Sequence, residues 1–131
     1  MKKVLSFDFD GTLTRPDVQN YCQIFLSCGF DIHVVTTRYD ELHKHLWANN
    51  PTNEDMYLIT DKIGIKRENI HFMNFKYGKG AFLLDTNAIF HLDDDERELN
   101  GFHYTQITKP ISVLKSDWSE QCDKAIIDFP E

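Results

Sequence analysis

Residues 3–9, KVLSFDF, make an apolar, partly β-branched run that stays hydrophobic on both alternating faces and then ends in acid. A strand with one wet face alternates apolar and polar side chains, whereas a strand covered on both sides reads as a near-continuous apolar run. Such a segment belongs in the middle of a parallel sheet with helices on either face, which makes the fold class α/β.

The rest of the chain supplies partners for that strand. Asp17 is placed to cap a helix over 18–28, which Gly29 stops, and 32–36 (IHVVT) reads as a second strand. A helix over 39–48 closes at Asn49, Asn50 and Pro51, and Asn53 caps another that runs to about residue 63, before Gly64. Segment 70–74 is the third strand, 80–84 a short helix, 88–92 (AIFHL) the fourth strand and 103–107 the fifth. The pattern weakens after Lys109-Pro110, with a last helix over 119–127 anchored by Trp118. Strands alternating with helices imply right-handed crossovers and a central five-stranded parallel sheet in a three-layer, Rossmann-like arrangement. With 131 residues and no internal repeat or linker, the expectation is a single domain over 1–131.

Composition narrows the function classes. Hydrophobic residues at 41% and charged residues at 27% are those of a soluble globular protein. The N-terminus carries no signal-peptide pattern, and no run approaches the ~18 apolar residues of a membrane span, so a cytoplasmic protein without a membrane partner is expected. Cys22, Cys28 and Cys122 are odd in number and lack CxxC or Cys/His spacing, so they read as reduced and structural. The net charge of -7 disfavours broad binding to a nucleic-acid backbone, while leaving a phosphorylated end open as a substrate. Part of that charge is concentrated in Asp8, Asp10, Asp93, Asp94 and Asp95. Carboxylates gathered by a fold call for a cation or a shared proton, and a hard divalent metal is the simplest solution.

Asp8 and Asp10 sit where the buried first strand meets a glycine turn. Alternation lets them face the same way, and Gly11 permits a tight turn. In open α/β sheets the carboxyl ends of the strands are where ligands bind. DxDG by itself also fits a solvated pair of acids at a strand end. Three further features follow in order: Thr36 closing the VVTTR segment, Lys79 opening KGAFL, and the apolar IFHL run ending in Asp93 and Asp94.

Together these resemble the four motifs of the haloacid dehalogenase superfamily, FDFDGTLT looking like the first; the likeness covers roughly residues 4–95. The resemblance implies a phosphomonoester hydrolase in which Asp8 is the nucleophile and forms an aspartyl-phosphate. Asp10 protonates the leaving oxygen and then activates water. Thr36 and Lys79, with Thr37 and Arg38 beside them, bind the phosphoryl group and substrate, and Lys79 fits that place better than Lys76. Magnesium would be held by the side chains of Asp8 and Asp93 and the backbone carbonyl of Asp10, with Asp94 orienting the shell.

Other residues admit plainer readings. Arg15, Arg38 and Tyr39 are placed either to meet the leaving group or simply to form loops. His43 and His45 point in different directions on a helix and make a poor metal pair. His91 reads as a satisfied buried histidine, and Asp95 as a helix cap for 96–99.

Only 27 residues separate Asp8 from Thr36, room for a hairpin flap and one helix, and 42 separate Thr36 from Lys79, so no cap domain is expected. An open site suits a phosphorylated nucleic-acid end or protein, or a small molecule enclosed by a neighbouring subunit in a homo-oligomer. Nucleotides, sugar phosphates and polynucleotide 3'-phosphates remain as substrates. The rival classes are a phospho-accepting signalling module and a catalytically silent binding module of similar α/β fold.

Overall fold

The computed structural model describes residues 2–43 and 52–130. Five strands, β1 (Val4–Phe7), β2 (Asp31–Thr36), β3 (Ile70–Phe72), β4 (Phe90–Asp93) and β5 (Lys109–Ser112), form one all-parallel sheet in the order β3-β2-β1-β4-β5. The apolar run holds the centre, and Leu5, Ser6 and Phe7 have no exposed surface. In this order the chain winds one way through β1, β2 and β3 and the other way through β4 and β5. The reversal falls between β1 and β4, the position where doubly wound sheets bind ligands.

The helices are α1 (Pro16–Ser27), α2 (Glu54–Ile63), α3 (Lys79–Phe82), α4 (Glu96–Asn100) and α5 (Trp118–Asp128). On one face of the sheet, Leu5, Phe7, Ile32, Val34, Phe90 and Leu92 join Val18 and Cys22 of α1, Met56 of α2 and Trp118 and Cys122 of α5 in one core. Tyr21 is the aromatic hinge of that core, edge-on to Phe7, Phe90 and Trp118 with centroids 5.3 to 6.4 Å away. By strand alternation the opposite face carries Ser6, His33, His71 and His91 beside a smaller apolar cluster of Val35, Leu83 and Ala88.

Several elements differ from the sequence reading. The fifth strand is Lys109–Ser112 rather than 103–107. Tyr104 is 92% and Ile107 54% exposed, and the backbone turns there, Gln106 N donating to His103 O at 2.9 Å. Pro110 is tolerated because β5 is an edge strand: Lys109 and Val113 donate to Ile89 O and Asp93 O of the β4 segment, so residue 110 faces outward. Of the helix expected over 39–48, residues 39–43 form loop and turn, with Asp40 Oδ1 accepting from Leu42 N and His43 N, and the remainder lies outside the described residues. Asp17 lies within the first turn of α1, its Oδ1 accepting from Val18 N, because Pro16 already starts the helix. Asn53 precedes α2 but spends its side-chain amide on Tyr39 O and Glu41 Oε1. Asp95 does cap α4, accepting from Arg97 N at 2.9 Å. α2, α3 and α5 form where helices were expected.

His33 Nδ1 and His71 Nε2 lie 2.9 Å apart, the rings stacked with centroids at 5.1 Å, and Asp31 Oδ2 is 3.4 Å from His33 Nε2. Burial, and then the charge of His33, lowers the pKa of His71. The unfolded chain therefore binds a proton near pH ~6.5 that the folded chain refuses. This contribution to stability is complete above that pH and is lost as the pH falls through it towards the depressed folded value. Urea unfolding at about pH 7.5 and about pH 5.5 should show a loss of stability in acid that is smaller in His71→Gln than in the parent chain.

Candidate active site

The register of the two central strands creates the site. Phe7 pairs with Leu92, and Asp8 N donates to Leu92 O at 2.8 Å, so Asp8 and Asp93 leave the sheet side by side at its carboxyl edge. From Asp8 the chain enters a wide helical turn, with Leu13 N bonded to Asp8 O and Thr14 N to Phe9 O. Gly11 has φ +78° in this turn, and a Cβ there would collide with the Asp94 carboxylate. Glycine is thus required both by the backbone and by the acid packed on it.

Lys79 opens α3 and is 1% exposed. Its Nζ donates to Asp8 Oδ1 at 2.8 Å and to Asp93 Oδ2 at 2.9 Å. Glu98 of α4 steadies this residue from behind, its Oε1 accepting from Gly78 N and Lys79 N. Thr12 Oγ1 donates to Asp8 Oδ2 at 3.1 Å, so each oxygen of Asp8 has one donor and the carboxylate is fixed in rotation.

Asp93 is held from the polar face of the sheet. His91 Nε2 lies 2.8 Å from Asp93 Oδ2, and His91 Nδ1 lies 2.8 Å from Ser6 Oγ. Burial drives the His91 pKa down against the opposing pull of Asp93, which favours the neutral ring. An ionised Asp93 only accepts, which assigns the proton to Nε2 and makes Ser6 the donor to Nδ1. Burial alone would raise the Asp93 pKa, but the hydrogen bonds from His91 and Lys79 carry it below the usual carboxylate range. Burial pushes Asp8 well above that range against the opposing charge of Lys79, with Asp93 adding to the rise. Asp94 is raised by burial and by Asp93.

The second half of the site is built on Arg38, which is 4% exposed. Its Nε and Nη2 grip Asp10 at 2.9 and 2.8 Å, and its Nη1 and Nη2 grip Asp55 of α2 at 2.7 and 2.8 Å. The guanidinium also lies 4.9 Å from the centre of the Phe9 ring. Thr36 is fully buried and its Oγ1 accepts from Arg38 N, while Thr37 lines a cavity of about 390 Å³ together with Asp8, Asp10, Lys79, Asp93, Asp94, Asp95 and Glu96.

Of the candidate residues, then, Asp8, Asp10, Thr37, Lys79, Asp93 and Asp94 converge on one cavity, and Thr36 and Arg38 support it from the adjoining loop. Lys76 is exposed, whereas Lys79 is buried between two carboxylates. Arg15 is engaged with Asp17 and Val113 O rather than with the cavity. His43 Nδ1 pairs with Asp40 Oδ1 at 2.7 Å, and His45 lies outside the described residues. His91 is buried and satisfied, but its partner is the site itself. Ser6, Thr12, Asp55 and Glu98 are supporting residues that motif reasoning overlooks. For Ser6 and His91 a signal existed, since each is polar inside an otherwise apolar strand.

Asp8, Asp93 and Asp94 each offer an oxygen, all within 4.8 Å of one another. An all-oxygen donor set suits a hard cation. Lys79 is bonded to Asp8 and Asp93 but not to Asp94, so one lysine faces three carboxylates. The residues present therefore fit a bound divalent ion. Comparison with family models, curated proteins and solved structures finds no match to this chain.

Gly11→Ala should cost about 1–2 kcal/mol through the left-handed backbone alone. It should also weaken whatever divalent-cation binding titration calorimetry detects in the parent chain, because the new methyl displaces Asp94. In urea unfolding, Asp55→Ala should cost about 1 kcal/mol, since its two bonds are partly solvent-screened, and Arg38→Ala more, since Asp10 and Phe9 lose their partner as well.

Proposed function

We propose that this chain is a phosphomonoester hydrolase that carries the phosphoryl group on Asp8, acting with magnesium in the manner of the haloacid dehalogenase superfamily that its motifs resemble. The observation that carries this reading is the buried Asp8 carboxylate, fixed by Lys79 and Thr12 at the floor of a cavity whose wall holds Asp93 and Asp94.

Magnesium, held by Asp8, Asp93, Asp94 and the backbone carbonyl of Asp10, would neutralise charge on the nucleophile and the phosphoryl oxygens. Asp8 attacks phosphorus through one carboxylate oxygen and the bond to the leaving oxygen breaks. Lys79 offsets the negative charge that attack brings together, and Thr37, which lines the cavity, would donate to a phosphoryl oxygen while buried Thr36 holds the loop that carries it. Asp10 gives its proton to the leaving oxygen. In the second step Asp10 accepts a proton from water, the water oxygen bonds to phosphorus, and the bond to Asp8 breaks to restore the carboxylate. Arg38 engages both oxygens of Asp10, which presents that side chain as a proton acceptor suited to this second step.

A second reading, supported by the acidic pocket and the buried Lys79 bonded to Asp8, is a module that accepts a phosphoryl group and keeps it. Signalling receiver domains of that kind use the strand order 2-1-3-4-5, and the order 3-2-1-4-5 here weighs against membership among them.

Aryl phosphate hydrolysis should require magnesium, with calcium a poor substitute because of its larger and looser shell. Full activity in excess chelator would sink the metal assignment. Asp8→Asn should abolish turnover. Asp10→Asn, given an aryl phosphate with an acidic leaving group, should show a burst of phenolate and a phosphate-sized mass gain on the peptide containing Asp8. A gain on another residue overturns the mechanism, and a stable gain in the parent chain supports the phospho-accepting reading instead.

A further inference from the structure

Three aromatic residues, Tyr39, Phe75 and Tyr77, are tied through the chain or the backbone to residues that line the acidic cavity. Phe75 N donates to Thr37 O at 2.6 Å, and the Thr37 side chain lines the cavity. Tyr39 lies two residues beyond Thr37, and its ring centroid is 4.7 Å from that of Phe75. Tyr77 lies two residues before Lys79 on the other side, with the Arg97 guanidinium 4.7 Å over its ring and bonded to its hydroxyl at 2.7 Å. Phe75 is 47% and Tyr77 56% exposed, so both residues keep surface open to a ligand.

The backbone bears a cost to put Phe75 there. Asn74 and Phe75 both have positive φ, +54° and +61°. Asparagine accepts that conformation, but a bulky aromatic residue rarely does and is strained in it. Hydrogen bonds to the β2 loop hold it: Met73 N to Thr36 O, Asn74 N to Arg38 O and Asp40 N to Asn74 Oδ1. The strained segment is thus stitched to the same three residues, Thr36, Thr37 and Arg38, that edge the site.

We propose that Tyr39, Phe75 and Tyr77 form a stacking platform for the base of a nucleoside monophosphate whose phosphate enters the cavity; this rests on the phosphomonoesterase reading and names its substrate class. A planar heteroaromatic ring gains from stacking on such faces, and the Arg97 guanidinium at the Tyr77 hydroxyl adds a polar edge that suits a base better than an apolar aryl group. The remaining cavity wall, Asp94, Asp95 and Glu96, together with the net charge of -7, selects a single phosphate over a polyanionic strand.

The test compares kcat/KM for adenosine monophosphate and ribose 5-phosphate in magnesium. A preference on the order of tenfold or more for the nucleotide is expected from stacking. In Phe75→Leu, which keeps bulk and backbone demand but removes the ring, that ratio should collapse towards one. Equal values in the parent chain overturn the platform, as does faster release of a terminal phosphate from an oligonucleotide than from the mononucleotide. Should neither small substrate release phosphate, the hydrolase reading fails while the platform is still judged by equilibrium binding in magnesium. Adenosine monophosphate bound on the order of tenfold more tightly than ribose 5-phosphate sustains it, and equal affinity overturns it.

Discussion

Asp8 and Asp93 terminate neighbouring central strands with almost no contact with water, and the Nζ of Lys79 lies within 2.9 Å of both. Two buried carboxylates so close repel strongly, because the protein interior screens charge poorly. The lysine makes their juxtaposition tolerable, and it does so only because α3 begins where it does. Gly80, the next residue, packs with its Cα against the backbone of Gly101 and Phe102, and Glu98 ties down the amides of Gly78 and Lys79. The position of one ammonium group therefore depends on the close approach of α3 and α4, and the acid pair depends on that ammonium.

The polar face of the sheet follows from the same constraint. An apolar residue at position 91 would pack equally well in a buried strand but would leave Asp93 with one donor fewer on Oδ2, and one at position 6 would leave His91 Nδ1 without its partner. The chain Ser6, His91, Asp93, Lys79, Asp8 runs from beneath the sheet to the cavity floor without an unpaired donor or acceptor between its members. Arg38 performs the matching service on the other side, joining the Asp10 turn to α2 through Asp55. Asp8, Asp93 and Asp10 are thus each held by a buried cation or imidazole that is itself anchored.

The parts of this arrangement legible in the sequence were those with a local cause. Apolar runs ending in acid marked β1 and β4, and their convergence at a carboxyl edge followed from parallel topology. Lys79 was legible by its place in an order of motifs, and Asp95 by the capping pattern. What escaped depended on contacts remote in the chain. Arg38 and Asp55 are 17 residues apart, and no local pattern joins a loop arginine to the first turn of a later helix. The fifth strand was misplaced because 103–107 has β-forming residues, whereas Lys109–Ser112 contains a proline that only an edge position excuses. The helix assigned over 39–48 failed in its described part because Asp40 satisfies the turn amides locally and Tyr39 is drawn to Phe75.

Pro110 has a consequence beyond its own strand. The outer rim of β5 is the place where another extended chain would add itself by backbone pairing, and a residue without an amide hydrogen leaves a gap in the row of donors such a chain would require. Lys109, exposed beside it, brings a charge that a docking strand would have to desolvate. The sheet thus resists lateral growth by strand addition on that flank, while its carboxyl edge, where the acidic cavity lies, stays open.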